Sequence, residues 1–138
     1  MWSAFGAMFT AQLIKTAYLS KRHGFHWRYF FIASNMPSSH TATVTALALS
    51  VYVQEGVTTA FLIALFLGSI VVRDVIGDRT FAQQQEDVIN NAFQKLFEGK
   101  AEAVQWNNLI GHSLRDVFWG MVLGIAVTIT IFQIFKIF

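Results

Sequence analysis

Residues 112–135 read HSLRDVFWGMVLGIAVTITIFQIF, a short polar cluster followed at once by an apolar run. The run is long enough to cross a bilayer, which takes about 20 mostly apolar residues. A second polar cluster, PSSH at residues 37–40, opens another apolar stretch in the same way. Polar groups are costly to place beside lipid, so these two clusters are the first candidates for a functional site.

The composition indicates a membrane protein. Apolar residues make up 54% of the 138-residue chain and charged residues 13%, with a mean hydropathy of +0.48, outside the range of soluble domains. We predict a single membrane-embedded domain over residues 1–138. A net charge of +2 is too small to predict a nucleic-acid partner, and the absence of cysteine excludes disulfide and thiolate chemistry.

The fold class predicted is an all-α membrane bundle with about four transmembrane helices and one amphipathic surface helix. The four apolar stretches cover residues 2–19, 41–53, 57–76 and 114–135, and the second reaches span length if residues 37–40 begin its helix. Gln54-Glu55-Gly56 predicts a tight turn between the second and third spans. Residues 80–97 carry apolar side chains at helical spacing, which predicts a separate amphipathic helix, and residues 99–108 a loop.

The distribution of basic residues predicts the orientation. Most lysines and arginines fall in or beside the connections that follow the first and third spans. Because cytoplasmic loops are enriched in Lys and Arg, both connections should face the cytoplasm, in a bacterial inner membrane. This topology brings both polar clusters to one membrane face.

Each cluster has a chemical interpretation and a plainer one. His112 and Asp116 are four residues apart, so the carboxylate could hold the imidazole tautomer; the alternative is a helix cap with an acid at the membrane surface. Ser38 and Ser39 offer hydroxyl and N–H groups to an anion with His40 in the same turn; the alternative is a serine-capped helix with a surface histidine.

Several cationic and polar residues could join these clusters. Lys21 and Arg28 could grip phosphate oxygens, or Lys21 could simply anchor the first span. Lys15 lies inside that span and either snorkels to the surface or points to a polar site. At the end of the third span Arg73 could pair with Asp74. Arg79 could add a third positive charge there. Gln85 and Asn90 are two further candidates, although both also match the water-facing side of the amphipathic helix.

These motifs together resemble a known family. Residues 36–42, MPSSHTA, followed by VTALA at 44–48, look like the central motif of the divergent, small-membrane-protein branch of the type 2 phosphatidic acid phosphatase superfamily. That branch is related to acid phosphatases and vanadium-dependent haloperoxidases. The resemblance extends over residues 12–124. The other matching positions are Asp74, Gly77, Arg79, Gln85 and Asn90, and then Gly111, His112, Asp116 and Gly120.

The resemblance implies an enzyme that hydrolyses a lipid phosphate, such as phosphatidylglycerophosphate or a prenyl diphosphate, without metal or other cofactor. By this resemblance, His112 would attack phosphorus, Asp116 would orient His112, and His40 would be the general acid. The remaining roles would be phosphate binding by Ser38, Ser39, Arg28 and one or both of Lys15 and Lys21, with support from Asp74, Gln85 and Asn90.

The sequence also departs from the superfamily pattern. Ser39 stands where the wider superfamily has glycine, and serine is the usual residue there in this branch. Tyr29 stands where the first motif of the superfamily, K-x6-R-P, has its proline. Trp106 occupies the position of an expected arginine, for which Arg79 is the candidate replacement. Four spans instead of six imply a reduced bundle, which a homodimer could complete.

Three other function classes are weighed against the phosphatase. The runner-up is a non-catalytic membrane protein that binds phospholipid head groups or scaffolds partners, favoured by the missing arginine. A channel or half-transporter fits less well because the ionisable residues cluster at one face and do not line a span. Haloperoxidase chemistry is the least favoured.

Overall fold

A computed structural model describes residues 2–31, 36–96 and 113–135, and the regular secondary structure in this part of the chain is all helical. It contains four α-helices and a short 3₁₀ helix, with no strand among the described residues. The α-helices are α1 (Trp2–His23), α2 (Ser39–Glu55), α3 (Thr59–Leu96) and α4 (Leu114–Ile134), and the 3₁₀ helix covers Trp27–Phe31. The all-α fold class is therefore confirmed.

Two of the four predicted spans are confirmed by length and composition. Thr59–Gly77 within α3 and Leu114–Ile134 each have a mean hydropathy of 2.1 and are long enough to cross a membrane. α2 has 17 residues, at the short limit for a span, and α1 carries the polar residues Gln12 and Lys15. The remaining two spans stay predictions.

Local capping explains where α2 and α4 begin. The Ser38 hydroxyl accepts a hydrogen bond from the Thr41 backbone N–H at 3.3 Å and so satisfies one of the open donors of α2. Ser113 and Asp116 form a capping box at the start of α4. Gly56 ends α2 at φ +72°, where glycine is favoured, and its N–H donates to Tyr52 O. The predicted turn is confirmed.

α2 is the central helix. It packs against α1, α3 and α4, and α1 also packs against α4, whereas α3 touches α4 only slightly. The buried core between α1, α2 and α4 is made of small residues, and Leu123 and Val127 pack against it. These core residues are Ala7, Ala11, Ala42 and Ala46. Small side chains let helix backbones approach closely, which is how helices associate in lipid.

The closest approach is between α2 and α4. A Cβ placed on Gly120 would lie 2.6 Å from Ser38 O, and one on Gly124 would lie 2.5 Å from Ala42 O. Both obstacles are backbone atoms, which cannot rotate away. The two glycines, one helical turn apart, therefore allow direct backbone contact between these helices.

One sequence expectation is wrong. The amphipathic segment at 80–97 is not a separate helix, because α3 runs unbroken from Thr59 to Leu96 over 38 residues. No proline interrupts the segment between 76 and 80, and Gly77 alone lowers helix stability by only about 1 kcal/mol. At 1.5 Å per residue the whole helix is about 57 Å long, roughly twice the thickness of the hydrocarbon core.

The continuity of α3 predicts a distance. Because the chain has no cysteine, spin labels attached at Ile70→Cys and Asp87→Cys would be the only pair, and both positions are exposed. An unbroken helix should separate their backbone positions by about 26 Å. Electron–electron double resonance in detergent and in bilayers measures this separation. A distance distribution centred well below 20 Å, as for a helix folded back after Gly77, would contradict the continuous helix.

Candidate functional site

The beginnings of α2 and α4 lie against each other. The backbone N–H of Ser38 donates to the backbone O of Asp116 at 3.0 Å. Each helix start carries backbone N–H groups without intrahelical partners and the positive end of a helix dipole. The two polar sequence clusters are therefore in contact through Ser38 and Asp116, and their dipoles favour negative charge at the same place.

A lysine from α1 is buried at this contact. The Lys15 side chain is fully buried, at 0% exposure, and its Nζ donates to Ser39 Oγ at 3.3 Å. Lys15 and the Asp116 carboxylate also attract one another electrostatically. A buried ammonium is costly unless it has such partners, because removing a charge from water is unfavourable. Of the two alternatives that the sequence left open for Lys15, the structure therefore supports a side chain that points to a polar site and not one that snorkels to the surface.

Asp116 has a capping role as well as an electrostatic one. Its Oδ2 accepts the Ser113 backbone N–H at 2.7 Å, and its own N–H donates to Ser113 Oγ at 3.3 Å. Asp116 is nearly buried, at 7% exposure. The helix-cap alternative raised from the sequence is thus confirmed for this residue, and the cap places its carboxylate on the side of Lys15.

The serines of the first cluster are both buried. Ser38 Oγ accepts from the Thr41 backbone N–H and, at 3.1 Å, from Thr41 Oγ1, while Ser39 Oγ accepts from Lys15. His40, the second residue of α2, is exposed at the rim. Ser38, Ser39 and Lys15 form a compact set of donors and dipoles that suits an oxyanion such as phosphate.

Other predicted site residues lie away from this set or outside the described part. Lys21 is exposed near the end of α1, and Asp74 is exposed on α3. Gln85 and Asn90 lie about 12 and 20 Å beyond Gly77 along α3. His112 lies outside the described residues, as do the side chains of Arg28 and Arg79, so the meeting of the two histidines stays a prediction.

The structure adds residues that the sequence arguments had not singled out. Thr41 is fully buried and bonds to the Ser38 hydroxyl. Ser113 completes the capping box, and the pattern Ser113-Leu114-Arg115-Asp116 is a recognisable capping signal. Gln12 Oε1 and Ser20 Oγ, on α1, are buried without a hydrogen-bond partner among the described residues. No pattern in the sequence predicts the burial of Gln12 and Ser20.

A metal centre has no visible basis in this region. Across residues 2–31, 36–96 and 113–135, no three His, Asp or Glu side chains are grouped as metal ligands would be. The polar groups that do gather are one carboxylate, Asp116, with an ammonium, hydroxyls and backbone N–H groups, and the last three are ligands for anions.

These features define a class of helical protein in which a buried lysine and two buried serines gather between two helix starts. The family comparison agrees: the chain belongs to the Divergent PAP2 family, whose model matches residues 1–127. The family resemblance expected from the motifs is therefore confirmed.

A relative supports the membrane assignment. The chain is similar to the uncharacterized membrane protein YuiD of Bacillus subtilis (strain 168), with 30% identity over 149 aligned residues. The alignment covers 96% of this chain and 93% of the relative. No solved structure matches the chain. With two span-length helices and a membrane protein as relative, the chain is membrane-associated.

Proposed function

We propose that this protein is a metal-independent phosphatase that hydrolyses a phosphomonoester or diphosphate of a membrane lipid. The observation that carries the proposal is the buried Lys15, bonded to Ser39 and attracted to Asp116 where the starts of α2 and α4 meet. Preorganised cations and N–H groups stabilise the charge that develops on a transferring phosphoryl group. Membership of the Divergent PAP2 family supports the same chemistry.

The proposed reaction has two steps. An imidazole nitrogen of His112 attacks phosphorus, the bond from phosphorus to the leaving oxygen breaks, and His40 gives that oxygen its proton. Water then attacks the phosphohistidine and gives a proton back to His40, the P–N bond breaks, and inorganic phosphate leaves. Asp116, in the first turn of α4 and four residues after His112, is proposed to orient the imidazole through its negative charge. Lys15, Ser38 and Ser39 hold the phosphate oxygens in both steps.

The site is proposed to face the cytoplasm in a bacterial inner membrane, with the lipid entering from the bilayer. The basic residues at the end of α1 and in the second half of α3 support this orientation. A homodimer is proposed to complete the reduced bundle. Suitable substrates are phosphatidylglycerophosphate and prenyl diphosphates, which combine an apolar body with an exposed phosphate.

Phosphate release from the purified protein in detergent micelles tests the proposal. We expect His112→Ala to lower release to the uncatalysed background and His40→Ala to lower it by about 10²–10⁴-fold, the contribution of general acid catalysis. His26→Ala is the matched control, since His26 is exposed before the 3₁₀ helix and belongs to neither polar cluster. Hydrolysis that is equal in His112→Ala and the unaltered protein would refute the mechanism.

A non-catalytic phospholipid-binding protein is the second candidate. The observation favouring it is that the Asp116 carboxylate already accepts the Ser113 N–H and attracts Lys15, so it has partners without a histidine. Vanadate, which mimics the transferring phosphoryl group, separates the two functions. An enzyme should be inhibited by vanadate, with the inhibition depending on His112, whereas a binding protein should show no turnover to inhibit.

A further inference from the structure

A long apolar groove lies between α2, α3 and α4, on the other side of α2 from Lys15. Its volume is about 640 Å³, and it is open along its length because α3 and α4 barely touch. Among the described residues, α1, which carries Lys15, packs on α2 and α4 and not on α3. The groove is therefore a separate feature from the buried lysine site.

The two ends of the groove differ. At one end the rings of Tyr52 and Phe61 lie 5.2 Å apart, next to the turn that joins α2 to α3. At the other end stands Arg73, the one charged residue among the lining residues that the structure describes. Arg73 is exposed, and no hydrogen bond or ion pair joins it to another described residue. The groove is thus apolar along its length and cationic at its end.

The cationic end lies beside the start of α2. Val44 lines the groove, and His40 precedes it by one helical turn on the same face of α2. Ser39, the neighbour of His40, is bonded to Lys15 on the side of α2 that packs against α1. A phosphate near His40 would therefore have Arg73 on one side and the lysine site on the other.

We propose that this groove seats one acyl chain of a phosphate-bearing phospholipid, and that Arg73 binds the head group of that lipid. Along α3 the distance from Phe61 to Arg73 is about 18 Å, so the groove crosses the middle of the span Thr59–Gly77. An acyl chain as long as one leaflet is deep, about 15 Å, would fill most of that length from the Arg73 end. The charge of Arg73 complements a phosphate, which a guanidinium binds through two parallel hydrogen bonds.

The proposal rests on the proposed function for the identity of the lipid, and it makes Arg73 and the groove determinants of specificity. A neutral lipid of the same chain length would gain the groove contacts but not the contact with Arg73. A short-chain phosphate would gain the contact with Arg73 but not the groove contacts. Chain length and head-group charge should therefore be recognised by different residues.

Photocrosslinking reads out binding without requiring hydrolysis. The probe is phosphatidic acid with a diazirine near the end of one acyl chain, added to the full-length protein in phosphatidylcholine bilayers, with the crosslinked residues mapped by mass spectrometry. We expect crosslinks to concentrate on Tyr52, Phe61 and Leu65. Crosslinks spread evenly over all lipid-facing helices would overturn the proposal.

Two pairs of variants sharpen the test. Ser69→Trp fills the groove from α3 and should reduce groove crosslinking at least tenfold, whereas Leu67→Trp, exposed on the same helix but outside the lining, should not. Arg73→Gln should reduce crosslinking of phosphatidic acid but not of diacylglycerol carrying the same chain, and Arg73→Lys should restore part of the loss. Equal effects of the two tryptophans, or of Arg73→Gln on both lipids, would overturn it.

Competition distinguishes the kind of chain. Unlabelled phosphatidic acid should displace the probe from the groove, and a long polyprenyl phosphate should displace it poorly because its chain exceeds the groove. Displacement by the polyprenyl phosphate alone would overturn the acyl-chain assignment. Groove crosslinking that persists in a protein unable to hydrolyse any lipid phosphate would support the groove and refute only the proposed phosphatase.

Discussion

Lys15→Met is expected to lower phosphate release by about 10²–10³-fold, the usual loss when a donor that stabilises transition-state charge is removed. Lys15 is fully buried and its Nζ donates to Ser39 Oγ, so its ammonium is held in place at the junction of the two helix starts. Phosphate release at saturating lipid substrate measures the effect. Lys95→Met, at the exposed end of α3, is the control that should leave the rate unchanged.

The same variant should also reduce stability, and this effect can be separated from catalysis. Without Lys15, the buried Ser39 hydroxyl loses its donor and the buried Asp116 carboxylate loses a nearby positive charge, which is expected to cost about 1–3 kcal/mol. The double variant Lys15→Met/Asp116→Asn removes both charges, and an asparagine can still accept the Ser113 N–H. We expect it to recover most of the thermal stability in detergent while remaining inactive. Recovery of activity along with stability would show that Lys15 is structural.

A comparison with Lys21 decides between the two lysines that the sequence offered for phosphate binding. Lys21 is exposed near the end of α1, so its charge is screened by water. Lys21→Met should therefore cost much less activity than Lys15→Met. An equal or larger loss at Lys21 would move the phosphate site away from the buried lysine.

Gly124→Ala is expected to lower the free energy of unfolding by about 1–3 kcal/mol, a typical penalty for overpacking a core. The added Cβ would lie 2.5 Å from Ala42 O, so α2 and α4 would have to separate. Gly120→Ala should act similarly through Ser38 O and should also weaken catalysis, because it pushes on the site. Thermal unfolding followed by circular dichroism in detergent measures both.

Gly68→Ala is the matched control for these substitutions. Gly68 lies in the apolar part of α3, and a Cβ there would meet only Val44 side-chain atoms, at 3.6 Å or more. Since that is ordinary contact, the alanine should be neutral or should stabilise the helix by about 0.5–1 kcal/mol. A loss at Gly68 as large as that at Gly124 would mean that backbone contact between α2 and α4 is not what makes the glycines necessary.

Much of the fold follows from local patterns in the chain. The span-length helices Thr59–Gly77 and Leu114–Ile134, the turn at Gly56 and the serine caps of α2 and α4 all depend on residues within a few positions of each other. Hydropathy, helix propensity and capping act over that range, so they can be read along the sequence. The family resemblance, carried by short motifs, was also recognisable at this level.

Contacts between residues of different helices could not be predicted from these local patterns. The burial of Lys15 against Ser39, the bond from Ser38 to Asp116 and the groove that ends at Arg73 join residues from different helices. Packing of helix on helix sets those distances, and small residues such as Gly120 and Gly124 allow it. The continuity of α3 was missed because its amphipathic half differs in polarity from its span, while the backbone hydrogen bonds of a helix continue across a change in polarity.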